Sequence, residues 1–209
     1  MYITESIYHE ETLPWEAHIP NNADKLILGT FPTRSDLRRY EFFYPNIRNK
    51  FWEILASLLS LSLIHFNGNE AVEERKDILD QLHLAITDIG RKILRQNESS
   101  LDNNIFPIEF TDIFSLLDEN PSIQTIIITS STKGNSVLTW FKAYCELNKV
   151  MLPTGKEKVP WETYISVNQR KIKILVIYST SGSAVIAKDV LRKMYKEAIL
   201  ENKIEPLDL

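Results

Sequence analysis

One cysteine, Cys145, stands among the 209 residues. A lone thiol allows no intrachain disulfide and no cysteine-based zinc or iron–sulfur site, and it suits a reducing compartment, so a cytoplasmic location is expected. The four histidines, His9, His18, His65 and His83, match no metal-ligand spacing. No metal site is therefore expected. No apolar run approaches the roughly 18–20 residues of a membrane span, and the start, Met1-Tyr-Ile-Thr-Glu-Ser, lacks the basic and apolar regions of a secretory signal. No membrane partner is expected. The chain has no Gly-x-Ser-x-Gly elbow, no Walker loop and no Gly-x-Gly-x-x-Gly, which argues against a serine hydrolase or a nucleotide-binding enzyme built on those loops. Excess positive charge is missing too. A net charge of -4 argues against nonspecific coating of nucleic acid. It leaves room for a local basic patch, and Arg34, Arg38, Arg39, Arg48 and Lys50 fall close together in sequence.

What is present is an alternation of short apolar runs with helical periodicity. Residues 25–29, 84–89, 125–129 and 173–178 read as strands, and Thr125-Ile-Ile-Ile-Thr129 is β-branched in the manner of strands buried on both faces. Residues 48–63, 70–82, 110–117, 137–147 and 184–200 read as helices, with Ser130 to Thr132 as candidate caps of the fourth. Residues 1–24 read as an irregular lead-in, 91–104 as irregular, and 150–170 as a loop excursion containing short strand pieces. The pattern predicts an α/β fold: three α/β/α layers around a parallel sheet of about four strands, in one domain over residues 1–209. The chain is expected to act as a monomer.

The stretch that organises the rest begins at Leu26-Ile-Leu-Gly-Thr-Phe-Pro-Thr33 and continues through Phe42-Phe-Tyr-Pro-Asn-Ile-Arg-Asn-Lys-Phe-Trp52. An apolar strand ends in a Gly/Pro turn, and open α/β sheets bind ligands beyond the carboxyl ends of their strands. Gly29 would let a ligand approach the backbone and Pro32 would stiffen the turn. Phe42, Phe43 and Tyr44 offer faces for stacking a base or sugar, or else they seal the end of the core.

These motifs resemble the uracil-DNA glycosylase superfamily, especially its mismatch-specific and hypoxanthine-removing branches, and most closely a bacterial subgroup. Gly29-Thr-Phe-Pro32 and Tyr44-Pro-Asn-Ile-Arg-Asn-Lys-Phe-Trp52 are similar to the family's Gly-x-x-Pro turn and Pro-x-Asn-x-Phe-Trp loop. Ile86-Thr-Asp88, Ser100-Leu-Asp102 and Tyr178-Ser-Thr-Ser-Gly-Ser-Ala184 follow in the right order.

The resemblance implies a monofunctional base-excision repair glycosylase that works with no metal and no cofactor. It would flip a deaminated base such as uracil or hypoxanthine out of DNA and hydrolyse its N-glycosidic bond. The implied partner is DNA containing a damaged base. Thr30, Phe31 and Pro32 would join Gly29, Phe43 and Tyr44 in the base pocket. Phe31 stands where many relatives place a water-holding Asp or Asn, which moves the catalytic role toward Asn49, matching an Asn of the hypoxanthine branch, or toward Asn46. Either amide could instead cap the following helix. Asp88 matches the position that reads the base edge; it could equally order a water or serve as a structural carboxylate. Ser179, Thr180, Ser181 and Ser183, at the start of a helix, suit phosphate gripping or plain capping, with Arg34, Arg48 and Lys50 as further phosphate contacts. The departures at Phe31 and in the last loop keep a second reading open, a catalytically inactive relative that binds nucleic acid or a nucleotide in the same pocket.

Overall fold

A computed structural model describes residues 7–99, 101–129, 134–153, 159–181 and 186–204. At its centre lie the strands β2 (Lys25–Gly29), β3 (Leu84–Asp88), β6 (Thr125–Ile128) and β8 (Arg170–Val176), which run parallel, with β7 (Trp161–Val167) antiparallel at one edge. The order across the sheet is β3-β2-β6-β8-β7. Along the parallel strands, successive residues feed two separate apolar layers. Leu26, Leu28, Ile126, Ile128, Ile174 and Val176 enter one; Ile27, Ile86, Ile127, Leu175 and Ile177 enter the other. Alternation with apolar residues on both sides is what a sheet covered by helices on both faces requires.

The second layer is closed by α1 (Phe51–Leu58), α2 (Gly68–Gln81) and α5 (Lys188–Lys196), which contribute Phe51, Ile54, Leu79, Leu191 and Tyr195. The first is closed by α3 (Ile113–Glu119) and α4 (Val137–Leu147), through Ile113, Leu117, Trp140 and Phe141. The expected three-layer α/β arrangement with four parallel strands is therefore present.

Several boundaries differ from the sequence reading. Residues 7–24 are not wholly irregular: β1 (Tyr8–Thr12) pairs antiparallel with β4 (Gly90–Gln96), which pairs in turn with β5 (Ile105–Phe110), giving a second, three-stranded sheet where irregular chain was expected. Its strands are rich in charge, and Pro107 in β5 is tolerated because β5 is an edge. Phe110 ends β5, so the third helix starts later than expected, at Ile113, where Asp112 Oδ1 accepts the Ser115 amide. The 150–170 excursion instead supplies β7, joined to β8 through Asn168 and Gln169 at φ 47° and 67°. Two left-handed residues make the tight turn that antiparallel strands favour. The first helix stops at Leu58 rather than near 63; Ser60 turns left-handed at φ 60° and Leu61 N–H returns to Ala56 O at 2.9 Å. Ser136, not Ser130 to Thr132, caps α4 by accepting from Thr139 N–H. Ser130 to Thr132 fall outside the described residues, as do Ser100, Ser183 and Ala184.

Candidate active site

Four parallel strands deliver their carboxyl ends to one place. Thr30 to Thr33 follow β2, Asp88 ends β3, Thr129 follows β6, and Ser179 and Ser181 follow β8; all of them line a cavity of about 200 Å³. From β2 the chain crosses to β3 on one side and afterwards to β6 on the other, so the cavity sits at a topological switch point.

Asp88 and Gly29 face each other in register across β3 and β2. A Cβ on Gly29 would lie 2.0 Å from Asp88 Oδ1 and 3.3 Å from the Tyr44 hydroxyl oxygen. The space expected to admit a ligand over Gly29 is thus taken by the Asp88 carboxylate. Asp88 is 6% exposed and is the one carboxylate among the described residues lining the cavity.

Tyr44 lies half-buried in the wall with its backbone at φ 50°, held by the Tyr40 hydroxyl, which donates to Tyr44 O at 2.8 Å. Its ring stacks on Phe51 with centroids 4.0 Å apart. Its hydroxyl is 3.0 Å from Thr129 Oγ1, which itself lies within 3.3 Å of Leu28 O. Thr129 has one proton; giving it to the carbonyl leaves Tyr44 as donor to Thr129. Phe43 points the other way. It is buried edge-on against Trp15 and Phe42 in the core and does not line the cavity, so its expected place in the base pocket is not met. Phe42 is core as well. Phe31 belongs to both, packed in the core yet lining the cavity, with the Arg95 guanidinium 5.9 Å from its ring centroid.

The two amides are both engaged. Asn46 Oδ1 accepts the Arg48 amide at 2.9 Å. Asn49 Oδ1 accepts the Phe51 amide at 3.0 Å and the Thr180 hydroxyl at 2.6 Å. Both donors are fixed by geometry, so the oxygen of Asn49 is spoken for and its Nδ2, with no hydrogen bond among the described residues, is a donor only. Thr180 is buried, and its carbonyl accepts Lys50 N–H at 3.2 Å. It therefore ties the loop after β8 to the loop after β2 instead of facing a phosphate. Ser179 Oγ accepts Ser181 N–H, and both serines remain on the cavity wall. Tyr178 is half-buried against the α5 layer, its carbonyl accepting from the Tyr195 hydroxyl; burial pushes that hydroxyl's pKa well above the ordinary tyrosine value.

The basic residues separate. Arg48 is exposed at the cavity wall and makes no ion pair among the described residues, and Lys50 turns toward a neighbouring cleft. Arg34 is not brought to the cavity. Its Nε and Nη2 clasp Asp36 at 2.9 and 2.6 Å, holding that carboxyl below the usual carboxylate range. Thr33, Pro45, Arg95, Ile105, Thr129 and Val137 also line the cavity and were not marked as site residues by the sequence; Thr129 and Arg95 are the two whose side chains are seen to hydrogen-bond there. The buried Arg95 bonds Glu11 at 2.5 and 3.1 Å, Pro32 O at 3.0 Å and Ser99 O at 2.7 Å. The signal for Thr129 was available, since it ends a strand already identified.

No protein-family profile and no curated protein sequence matches the chain. Among solved structures, the solution NMR structure of a "putative uracil DNA glycosylase" from Methanosarcina acetivorans superposes with a TM-score of 0.58. The match covers 90% of this chain and 95% of the other at 18% identity. The likeness is one of fold. In this shared fold the parallel strands, their carboxyl-end cavity and the helices on both faces form one frame, and the three-stranded sheet brings Arg95 against it.

Proposed function

We propose that this chain is a DNA glycosylase that hydrolyses the N-glycosidic bond of a flipped deaminated base, uracil or hypoxanthine, without a metal or cofactor. The observation that carries the reading is the nearly buried Asp88 carboxylate in the wall of a 200 Å³ cavity at the switch point. That volume suits a single base and is below the usual 300 Å³ or so of sites for larger ligands. The similarity in fold to a protein described as a putative uracil DNA glycosylase supports the same reading.

The chemistry divides between an acceptor and a donor. Asp88 accepts a hydrogen bond from the attacking water, takes its proton as the oxygen bonds to C1′, and offsets the positive charge growing on the sugar. The base leaves with the electron pair of the broken C–N bond, and a donor stabilises it. Asn49 suits this part: its oxygen is fixed by Phe51 and Thr180, which leaves Nδ2 to donate. This reverses the simplest expectation for Asn49, whose oxygen has no lone pair left to hold water. Arg48, Ser179 and Ser181, which line the wall, would make the phosphate or sugar contacts with DNA in this reading.

The test is incubation with labelled duplexes and single strands carrying one uracil, hypoxanthine or xanthine, followed by alkaline cleavage of abasic sites. Product formation that drops steeply with Asp88→Asn and also falls with Asn49→Asp supports the assignment. The second change keeps an oxygen for the Phe51 amide while removing the donor. The binding-only reading is favoured by Phe31, which packs in the core where a water-holding residue would stand. A folded protein that shifts labelled DNA yet yields no abasic sites would decide for it.

A further inference from the structure

Beyond the strand-end cavity, and sharing with it only Pro45 and Asn49, lies a cleft of about 420 Å³ between the 39–50 loop, α1 and the 61–66 segment. Tyr40, Trp52, Ala56 and Leu63 line it, and Leu61 and Phe66, 45% and 47% exposed, stand on it as well. Arg75, from α2, is also part of the lining although only 2% exposed. All of its hydrogen bonds leave from one nitrogen: Nη1 donates to His65 O at 2.7 Å, to Ala71 O at 3.1 Å and to Glu74 at 2.5 Å. Among the described residues Nε is buried with no hydrogen-bond partner and Nη2 makes no hydrogen bond within normal distance, although the Tyr40 hydroxyl is near enough to the guanidinium to be influenced by it.

Nε and Nη2 form the edge of a guanidinium that grips an oxyanion with two parallel hydrogen bonds. This protein closes that edge elsewhere, with Asp36 on Arg34 and with Glu11 on Arg95. On Arg75 that edge is buried and has no acceptor among the described residues, and the guanidinium lies 4.8 Å from the Tyr40 ring centroid. A buried donor without an acceptor costs free energy, and a ligand in the cleft would recover it. The surrounding charge favours an anion: Lys188 is paired with Glu53 at 2.5 Å, while Arg39 and Lys50 have no ion pair among the described residues.

The geometry points to a second ligand site in this cleft, taking a small organic carboxylate with an apolar body: the carboxylate on Arg75 Nε and Nη2, the body among Tyr40, Trp52, Leu61 and Phe66. It does not depend on glycosylase activity.

The probes are indole-3-acetate, benzoate and octanoate, titrated at up to millimolar concentration into 15N-labelled protein while the arginine Nε–H resonances are followed. Neutral indole-3-acetamide and inorganic phosphate serve as controls. At least one acid is expected to move the Arg75 Nε–H signal, with the amide and phosphate without effect. By calorimetry that acid should bind roughly tenfold more weakly to Arg75→Lys, which keeps the charge and loses the fork. Leu61→Glu, an exposed change that leaves Arg75 intact, should weaken binding similarly and guards against misfolding of the first variant. The assignment is overturned if no acid moves the signal, if the amide binds as well as the acid, if phosphate alone acts, or if Leu61→Glu binds with unchanged affinity.

Discussion

Arg95 and Arg75 are both almost wholly buried, and each lines a cavity, yet they stand in opposite conditions. Every nitrogen of Arg95 has an acceptor, from Glu11, Ser99 or Pro32. Arg75 commits one nitrogen, and the other two have no hydrogen bond among the described residues. A guanidinium whose donors are all met works as a structural joint; here it binds the three-stranded sheet to the turn after β2. One with an unmet edge keeps the capacity to bind something else. The same contrast runs through the smaller groups. Thr180 and the oxygen of Asn49 satisfy each other, whereas the Arg48 side chain and the Asn49 amide nitrogen have no partner among the described residues.

Opening the closed joint should give the largest effect. Glu11→Gln leaves the buried Arg95 without its countercharge, and a loss of about 3 kcal/mol in denaturant unfolding is expected. A loss below ~1 kcal/mol would show that the backbone carbonyls suffice. Asp88→Asn should lower base excision by roughly a hundredfold if the carboxylate handles the water, read as initial rate of abasic-site formation. Gly29→Ala tests the space between them. Its methyl would collide with Asp88 Oδ1, so stability should fall by about 1–3 kcal/mol and excision should fall with it. Retained activity would detach Asp88 from the chemistry.

Smaller effects lie away from the cavities. Asp112→Ala removes the α3 cap and should cost about 1 kcal/mol. Hydrogen bonds from Ser115 hold the Asp112 carboxyl below its ordinary pKa. Its stabilisation is therefore complete above the unfolded carboxyl value and lost as pH falls through the lower folded one; Asp112→Ala should lose that part of the acid dependence. Least of all, burial pushes Cys145 up to about 12, so an aromatic disulfide reagent near neutral pH should label native protein negligibly and unfolded protein fully.

The parallel sheet was legible because each of its strands is apolar on both faces, a pattern confined to a few consecutive residues. The three-stranded sheet was not. In Arg91-Lys-Ile-Leu-Arg95 the inward positions include an arginine, and its acceptor Glu11 lies on a strand 84 residues away. A charge that looks solvated in sequence can be buried once its partner arrives by folding. The β7–β8 hairpin was obscured by a turn of Asn168 and Gln169 without glycine, and the early end of α1 by Ser60, which carries no stop signal of its own. At the candidate site, the sequence marked which strand ends converge. It did not mark which way side chains turn: Phe43 and Tyr44 are adjacent, and one enters the core while the other walls the cavity. Hydrogen bonding was equally hidden, since only the folded loop shows that the Asn49 oxygen is already occupied.

The Asn49–Thr180 contact has a mechanical consequence. Together with Lys50 N–H on Thr180 O, it rivets the β2 and β8 loops to one another across 131 positions of chain. Two loops fastened by such a rivet are expected to shift together, like a single jaw. The groups that would touch the base and those that would touch the backbone of the strand then share one hinge, and a change at Thr180 would retune both grips at once.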